Sequence, residues 1–263
     1  MKAARISCTL AEIFSDVKVG EPIMFDDGKV EGIIEKVSQD ELQVRITYAK
    51  ESGAKLRSDK GINLPVSDLK ISGLTAKDKQ DMEFVAHNAD AVNFSFVNTP
   101  LDVQELIDLL KEHNSKIGII LKIETRKGFD NLPHILLRAM QTYPIGVMIA
   151  RGDLAVETGW NNIATIQEEI LRVCEAAHIP DIWATQVLEN LAKKGTPSRA
   201  EITDAASSQR AECVMLNKGY HIKKAIKLLD RILRQMQGYQ KKKETILSRL
   251  DHADSLLLTQ EYS

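Results

Sequence analysis

The feature that most constrains the fold is a regular alternation of short apolar runs and helical patterns between residues 91 and 237. The apolar runs of strand length are 91–97, 117–123, 146–150, 181–186 and 213–217. The segments with helical spacing of apolar residues are 100–113, 129–141, 161–178, 199–210 and 221–237. Because the runs are largely apolar instead of alternating, they predict strands buried on both faces of a parallel sheet covered by helices.

A parallel sheet of this kind can be an open, doubly wound sheet or a closed barrel. No GxGxxG motif follows any of the predicted strands, which weakens the doubly wound, dinucleotide-binding interpretation. Polar and charged residues follow the strands at their carboxyl ends, where barrel enzymes place their active sites. The predicted fold class is therefore α/β, of the (β/α)8 TIM-barrel type. It is incomplete, because only about five of the eight β/α units are found.

The first 70 residues have a different pattern. Two β-rich runs, 31–37 and 42–48, are joined by a polar turn, and "DDG" at 26–28 predicts another turn. Thr75 is a candidate N-cap for a helix over 76–88. We therefore expect three regions: a partial β-barrel lid domain over 1–62, a partial barrel over 63–238, and a charged, partly helical tail over 239–263.

Composition excludes several classes of function. The formal net charge is −2 and the pI is about 6.3, so nothing draws the chain as a whole to nucleic acid or to a membrane. The three cysteines form no CxxC pair and suit reduced thiols, and Cys174 and Cys213 are expected to be buried. Trp160 and Trp183 are expected to be packing residues. The N-terminus lacks a signal-peptide pattern, so the expected location is the cytoplasm.

Two consecutive strands end in charge: "IGIILKIE" (117–124) and "GVMIARGD" (146–153). Glu124 and Asp153 would be close neighbours at one rim of the sheet, where two carboxylates repel unless a cation lies between them. A hard divalent ion such as Mg²⁺ prefers oxygen ligands of this kind. Lys122 lies two residues before Glu124 on the same strand face, so the set suits a phosphate or a developing oxyanion.

Two further residues belong to the same predicted rim. Gly152 would let a ligand approach the backbone closely, and the N–H groups of this turn could bind a carboxylate or a phosphate. Thr185 would add a hydroxyl at the end of the next strand. Strand-end solvation or helix capping is the alternative explanation for any one of these charges. The six histidines show no metal-ligand spacing.

Several motifs, in this order, resemble pyruvate kinase. They are "KGINLP" (60–65), "LTAKDKQDM" (74–82), "SFV" (95–97), "LKIETRKG" (121–128), "MIARGDLAVE" (148–157), "WATQVLEN" (183–190) and "PSRAEITDAA" (197–206). The resemblance covers roughly residues 18–237. It implies transfer of a phosphoryl group from phosphoenolpyruvate to ADP, giving pyruvate and ATP in glycolysis.

The resemblance also implies roles for individual residues. Lys122 would stabilise the transferring phosphoryl group and the enolate oxygen, and Glu124 and Asp153 would hold Mg²⁺ or Mn²⁺. The substrate-binding residues would be Ser95, Ala150, Arg151, Gly152, Asp153 and Thr185. Thr185 would also act near the proton-transfer step.

Departures from the family pattern limit the expectation. The first three barrel strands, with the ligands of the family's K⁺ ion, and the C-terminal effector domain have no counterpart. "NKGY" (217–220) stands where the family usually has Ser-Gly-Glu-Thr. The expected partners are therefore the substrates and either a second copy of the chain or the missing barrel segment. A Mg²⁺-dependent lyase or aldolase acting on a pyruvate enolate, and a ligand-binding fragment without turnover, are the alternatives.

Overall fold

The computed structural model describes residues 4–58, 60–70, 73–142 and 144–239. Contacts divide the chain into two compact units, Met1–Ser72 and Gly73–Ser263, and each unit has its own apolar core. The border between the units therefore lies after the position 62 suggested by the sequence. Nearly all of the predicted charged tail, 239–263, falls outside the described residues.

The first unit contains a four-stranded antiparallel sheet of order β3-β2-β1-β4. Its strands are β1 (Pro22–Phe25), β2 (Val30–Val37), β3 (Leu42–Tyr48) and β4 (Ile62–Asn63). Burial alternates along β1 and the first half of β2, so one face of these strands supplies the core. The predicted strands 31–37 and 42–48 are confirmed, whereas the short strands β1 and β4 were not predicted.

The second unit contains a five-stranded sheet, and every pairing in it is parallel. Its strands are β5 (Ala91–Phe94), β6 (Gly118–Ile123), β7 (Ile145–Ala150), β8 (Asp181–Val187) and β9 (Cys213–Leu216). The spatial order is the order of the chain. In a doubly wound sheet the order of the strands reverses at a switch point. The order of these five strands does not reverse, so the barrel-type interpretation holds.

Helices connect the strands as predicted. They are α1 (Ala76–Asn88), α2 (Pro100–Glu112), α3 (Arg126–Asp130), α4 (Leu132–Ala139), α5 (Arg151–Thr158), α6 (Ile163–Ala177), α7 (Glu189–Lys194), α8 (Arg199–Ser207) and α9 (Ile222–Met236). Thr75 caps α1, as expected, and Asp78 completes a capping box. None of the helices in the described ranges combines the length and apolar character needed to cross a bilayer.

Three helical details differ from the prediction. One helix was predicted over 129–141. The structure has two helices in this region, α3 and α4, which are separated at Asn131. The turn expected around Gly152 is the first turn of α5, which follows β7 directly. The helix α7 was not predicted, because a pattern of six residues is too short to show helical periodicity.

Burial across the parallel sheet falls from its centre to its edges. All six residues of β7 are buried, whereas the edge strand β9 is largely accessible. Cys174 is buried as expected, but Cys213 is exposed because it lies on that edge. Trp183 is fully buried, while Trp160 follows α5 and is 73% exposed, so the expectation that Trp160 packs in the core was wrong.

Gly128 in α3 packs tightly against the loop after β5. A Cβ at this position would lie less than 3.0 Å from the carbonyl oxygen of Val97. We expect Gly128→Ala to destabilise the second unit by roughly 1–3 kcal/mol through overpacking, despite the better helix propensity of alanine. Urea unfolding followed by tryptophan fluorescence measures this, because both tryptophans lie in that unit.

Gly238→Ala is the matched control, because a Cβ there meets nothing within 4 Å. Equal unfolding midpoints for the two variants would show that the loop after β5 can move away from α3.

Candidate active site at the carboxyl ends of the parallel strands

The register of the sheet brings the last paired residues of its three central strands to one level. Ile123 of β6 pairs with Ile149 of β7, and Ala150 pairs with Ala184 of β8. Glu124 follows β6 directly, and Asp153 lies in the first turn of α5, directly after β7. The predicted site residues of these strands therefore share one edge of the sheet.

Lys122, Glu124 and Ser95 form a compact polar cluster at this edge. The Lys122 ammonium lies 2.9 Å from Glu124 Oε1 and donates a 2.8 Å hydrogen bond to Ser95 Oγ. Glu124 is only 3% exposed, and its Oε2 accepts the Phe96 N–H at 2.7 Å. A buried carboxylate is tolerated only when its charge is compensated, and here an ammonium and a backbone donor do so.

The loop after β5 is held against the end of β6. Phe96 has a left-handed backbone with φ of 52°, and its N–H donates the hydrogen bond to Glu124. Thr125 caps α3 through Gly128 N–H, and its hydroxyl donates to Asn98 of the same loop. Asn131 donates to the Asn98 carbonyl at 2.8 Å. The position of Ser95 beside Lys122 is therefore fixed from two sides.

Arg151, Gly152 and Thr185 form a second cluster where β7 and β8 end. Thr185 Oγ1 accepts the Gly152 N–H at 3.0 Å. The Arg151 guanidinium donates to the Ala184 carbonyl at 2.8 Å and to the Thr185 carbonyl at 2.7 Å. Ala150, the last residue of β7, is buried beneath them. The predicted residues of these two strands are thus brought together.

The backbone around Thr185 is strained. Thr185 and Gln186 have φ values of 67° and 58°, and the pairing of β8 with β9 shifts between Trp183 and Val187. Left-handed residues other than glycine cost of the order of 1–3 kcal/mol each when they are held in place, and they cluster at functional sites. Nothing in the sequence "WATQV" signals this conformation, because neither position is a glycine.

Sequence reasoning missed Asp204 of α8 as a member of this region. The Asp204 carboxylate accepts hydrogen bonds from both terminal nitrogens of Arg151. Its Oδ1 also accepts a hydrogen bond from the Trp183 indole N–H at 3.3 Å. The signal that could have found it is its spacing from Glu201. Acidic residues three apart lie on one face of a helix, and Glu201 is buried.

Glu201 links α8 to the segment that precedes it. Its carboxylate accepts the Ser198 N–H at 2.7 Å in a capping box, and it also accepts the Asn190 N–H of α7. Burial raises the pKa of Glu201, but the hydrogen bonds from Ser198 and Asn190 outweigh it. The net pKa lies below its ordinary value of 4.5.

The end of β9 carries the "NKGY" segment that departs from the expected motif. Asn217 donates from Nδ2 to Glu189 Oε1 at 3.2 Å, and Lys193 pairs with the same carboxylate oxygen. A Cβ at Gly219 would lie less than 3.0 Å from the Ala192 carbonyl oxygen. This segment is therefore packed onto α7.

The donor chemistry at the edge fits a hard divalent ion. Glu124 and Asp153 offer carboxylate oxygens, the ligand type that Mg²⁺ and Mn²⁺ prefer. Across the described ranges, no group of three or more His, Cys, Asp and Glu side chains could hold a metal. A divalent ion held by these two carboxylates would take its other ligands from water and substrate, as Mg²⁺ usually does.

Comparison with known proteins assigns the family. Residues 1–220 match the family described as "Pyruvate kinase, barrel domain". The chain is 37% identical to "Pyruvate kinase" of Bacillus licheniformis over 206 residues, which cover 78% of this chain and 34% of that protein. It is 30% identical to "Pyruvate kinase" of Staphylococcus epidermidis (strain RP62A) over 261 residues, covering 97% of this chain and 43% of the relative.

The chain therefore belongs to the pyruvate kinase family, and its α/β fold is that of the family's barrel domain. The resemblance predicted from the motifs is confirmed. The chain spans 34–43% of the length of these two relatives.

The depressed pKa of Glu201 predicts a pH-dependent contribution to stability. The ionised carboxylate stabilises the fold above the ordinary pKa of 4.5, and this stabilisation is lost as the pH falls through the lower folded-state value. We expect Glu201→Gln to cost about 0.5–1.5 kcal/mol at pH 7, where the charge-assisted hydrogen bonds are lost. The difference from the unsubstituted chain should shrink as the pH falls below the ordinary pKa of 4.5, so it should be smaller at pH 4 than at pH 7.

Urea unfolding midpoints at pH 7, 5 and 4 measure this effect. Glu112→Gln, at an exposed position near the end of α2, is the matched control. A Glu201→Gln deficit that stays constant from pH 7 to pH 4 would contradict the assignment.

Proposed function

We propose that this chain supplies part of the active site of a pyruvate kinase, which transfers a phosphoryl group from phosphoenolpyruvate to ADP and yields pyruvate and ATP. The observation that carries the proposal is the ion pair between the buried Glu124 and the partly buried Lys122, 2.9 Å apart, at the same sheet edge as the first turn of α5. Because the chain spans 34–43% of its relatives, we propose the activity for an assembled barrel. The remaining strands would come from a longer polypeptide or a second subunit, in the cytoplasm.

Lys122 would neutralise charge on the transferring phosphoryl group and on the enolate oxygen left behind. Its ammonium already lies between Glu124 and Ser95, so it is oriented before any ligand arrives. Glu124 and Asp153 would hold Mg²⁺ or Mn²⁺. A bound divalent ion would withdraw charge from phosphoryl and carboxylate oxygens, and K⁺ would add a second cation. Phosphoryl transfer of this kind depends mainly on positioning and on electrostatic stabilisation.

The first turn of α5 would bind the carboxylate of the substrate. The N–H groups of Gly152 and Asp153 belong to the start of an eight-residue helix, where the helix dipole favours an anion, and the Gly152 N–H would be shared between Thr185 Oγ1 and the ligand. Thr185 Oγ1, which accepts the Gly152 N–H, would lie beside the reacting carbons. The Arg151 side chain donates four hydrogen bonds to Ala184, Thr185 and Asp204, which occupy most of its N–H groups, so it would shape the pocket.

Loss of a metal ligand tests the divalent-ion proposal. Oxalate mimics enolpyruvate. We expect Glu124→Gln and Asp153→Asn each to weaken binding of oxalate in the presence of Mg²⁺ by at least ~10-fold, because even the loss of an outer-shell partner of a metal weakens binding by that much. Isothermal titration calorimetry on the chain measures this without requiring turnover. Asp230→Asn is the matched control, because Asp230 lies exposed on α9 and pairs with Arg234.

A coupled assay distinguishes the competing activities. Pyruvate formed from phosphoenolpyruvate only when ADP is present supports the kinase, whereas release without ADP or from a larger keto acid indicates a lyase or aldolase. Oxalate binding without turnover indicates a ligand-binding chain. Unchanged oxalate affinity in both carboxylate variants would exclude Glu124 and Asp153 as metal ligands.

Gly152→Ala tests whether a ligand approaches the backbone of α5. A Cβ at Gly152 would meet nothing closer than Thr185 Oγ1 at 3.7 Å, which is ordinary contact. We expect the fold to keep or gain stability, by up to ~1 kcal/mol, because alanine favours the helix. Oxalate affinity should nevertheless fall about tenfold or more, since the methyl group would occupy the space of the ligand.

Calorimetry and urea unfolding on the same sample provide the two readouts. A Gly152→Ala variant that binds oxalate normally would place the ligand elsewhere.

A further inference from the structure

The strained turn at Thr185 and Gln186 of β8 is held by Arg151, the first residue of α5, which is itself bound by Asp204 of α8. Arg151 donates through Nε to the Ala184 carbonyl and through Nη2 to the Thr185 carbonyl. These carbonyls flank the point where the backbone enters the left-handed region at Thr185. Such a backbone persists only where its surroundings over-determine it, and one guanidinium bound to two successive carbonyls does so.

Asp204 fixes the orientation of that guanidinium. It forms a bidentate ion pair with Nη1 and Nη2 of Arg151, and the Nη2–Oδ2 distance is 3.0 Å. The Arg151 side chain is 13% exposed and that of Asp204 is 26% exposed, so solvent screens this pair only in part. A fork-to-fork pair fixes the plane of the guanidinium as well as its charge.

Trp183 supports both partners from below. Its ring is fully buried, and the Arg151 guanidinium carbon lies 4.5 Å from the ring centroid. The indole N–H donates to Asp204 Oδ1 at 3.3 Å. Arg210, which pairs with Glu168 of α6, lies 5.9 Å from the same centroid. Ring, guanidinium and carboxylate therefore hold one another in a single arrangement.

We propose that Asp204 is a positioning residue for the proposed active site. It acts through Arg151 to hold the Thr185–Gln186 turn, and so keeps Thr185 Oγ1 where it accepts the Gly152 N–H. This rests on the proposed function only in assigning the turn to the ligand site. Without the carboxylate, the guanidinium loses its fork partner, the turn relaxes, and Thr185 leaves both Gly152 and the ligand.

Hydrogen exchange at two backbone amides tests the positioning role without ligand or turnover. The Gly152 N–H is bonded to Thr185 Oγ1, and the Phe96 N–H is bonded to Glu124 Oε2 in the other cluster. We expect Asp204→Asn to accelerate exchange of Gly152 about tenfold or more and to leave Phe96 unchanged. NMR on chains with ¹⁵N-labelled glycine and phenylalanine measures both, and Gly152→Ala identifies the Gly152 signal.

Two further variants sharpen the test. Arg151→Lys retains a cation but not the fork, and we expect the same selective acceleration at Gly152. Asp230→Asn, an exposed aspartate paired with Arg234 on α9, should change neither amide. Equal acceleration at Gly152 and Phe96 would show a general loss of stability and overturn the proposal, as would no change at Gly152. If Asp204→Asn does not fold, Arg151→Lys decides by the same comparison.

A ligand arm separates this proposal from the proposed function. We expect Asp204→Asn to weaken binding of oxalate with Mg²⁺ about tenfold or more, while Asp230→Asn leaves it unchanged. If the unsubstituted chain binds no oxalate with Mg²⁺, the proposed function fails and the amide exchange still decides whether Asp204 holds the turn. Normal oxalate affinity in Asp204→Asn would overturn its role in the site.

Discussion

The parallel register of β6, β7 and β8 is the constraint on which the proposed site depends. Hydrogen bonding pairs Ile123 with Ile149 and Ala150 with Ala184, so the paired segments of the three strands end at one level. The strands leave little room for charge: every residue of β7 is buried, and Lys122 is the next-to-last residue of β6. Ionisable side chains can therefore follow these strands only at their ends, and the parallel direction collects those ends at one edge.

Two unfavourable features lie at this edge. Glu124 is a buried carboxylate, and removing its charge from water costs several kcal/mol, which the partly exposed Lys122 offsets as its ion-pair partner. The backbone at Thr185 and Gln186 adds strain of about 1–3 kcal/mol per residue. A buried ion pair adds little to stability by comparison with apolar packing. Both features therefore point to function, and they support the proposal of an anion and cation site.

The sequence predicted much of the fold, because short apolar runs and helical periodicity report burial directly. The five parallel strands and the helix capped by Thr75 follow from such local patterns. Exposure was predicted less well: Cys213 and Trp160 are apolar by type yet exposed by position. Whether a strand lies at an edge depends on its partners, and no local pattern contains that information.

For the candidate site, the sequence by itself determined the chemistry available: a lysine and a carboxylate two residues apart at the end of one strand, and an Arg-Gly-Asp segment after the next. Residue identity and strand periodicity suffice for that, because alternate residues share a face. Only the tertiary structure decided that Lys122 reaches Ser95, and that Asp204, 53 residues from Arg151, holds it. Contacts between distant segments are decided by how the helices pack on the sheet, so spacing along the chain could not show them.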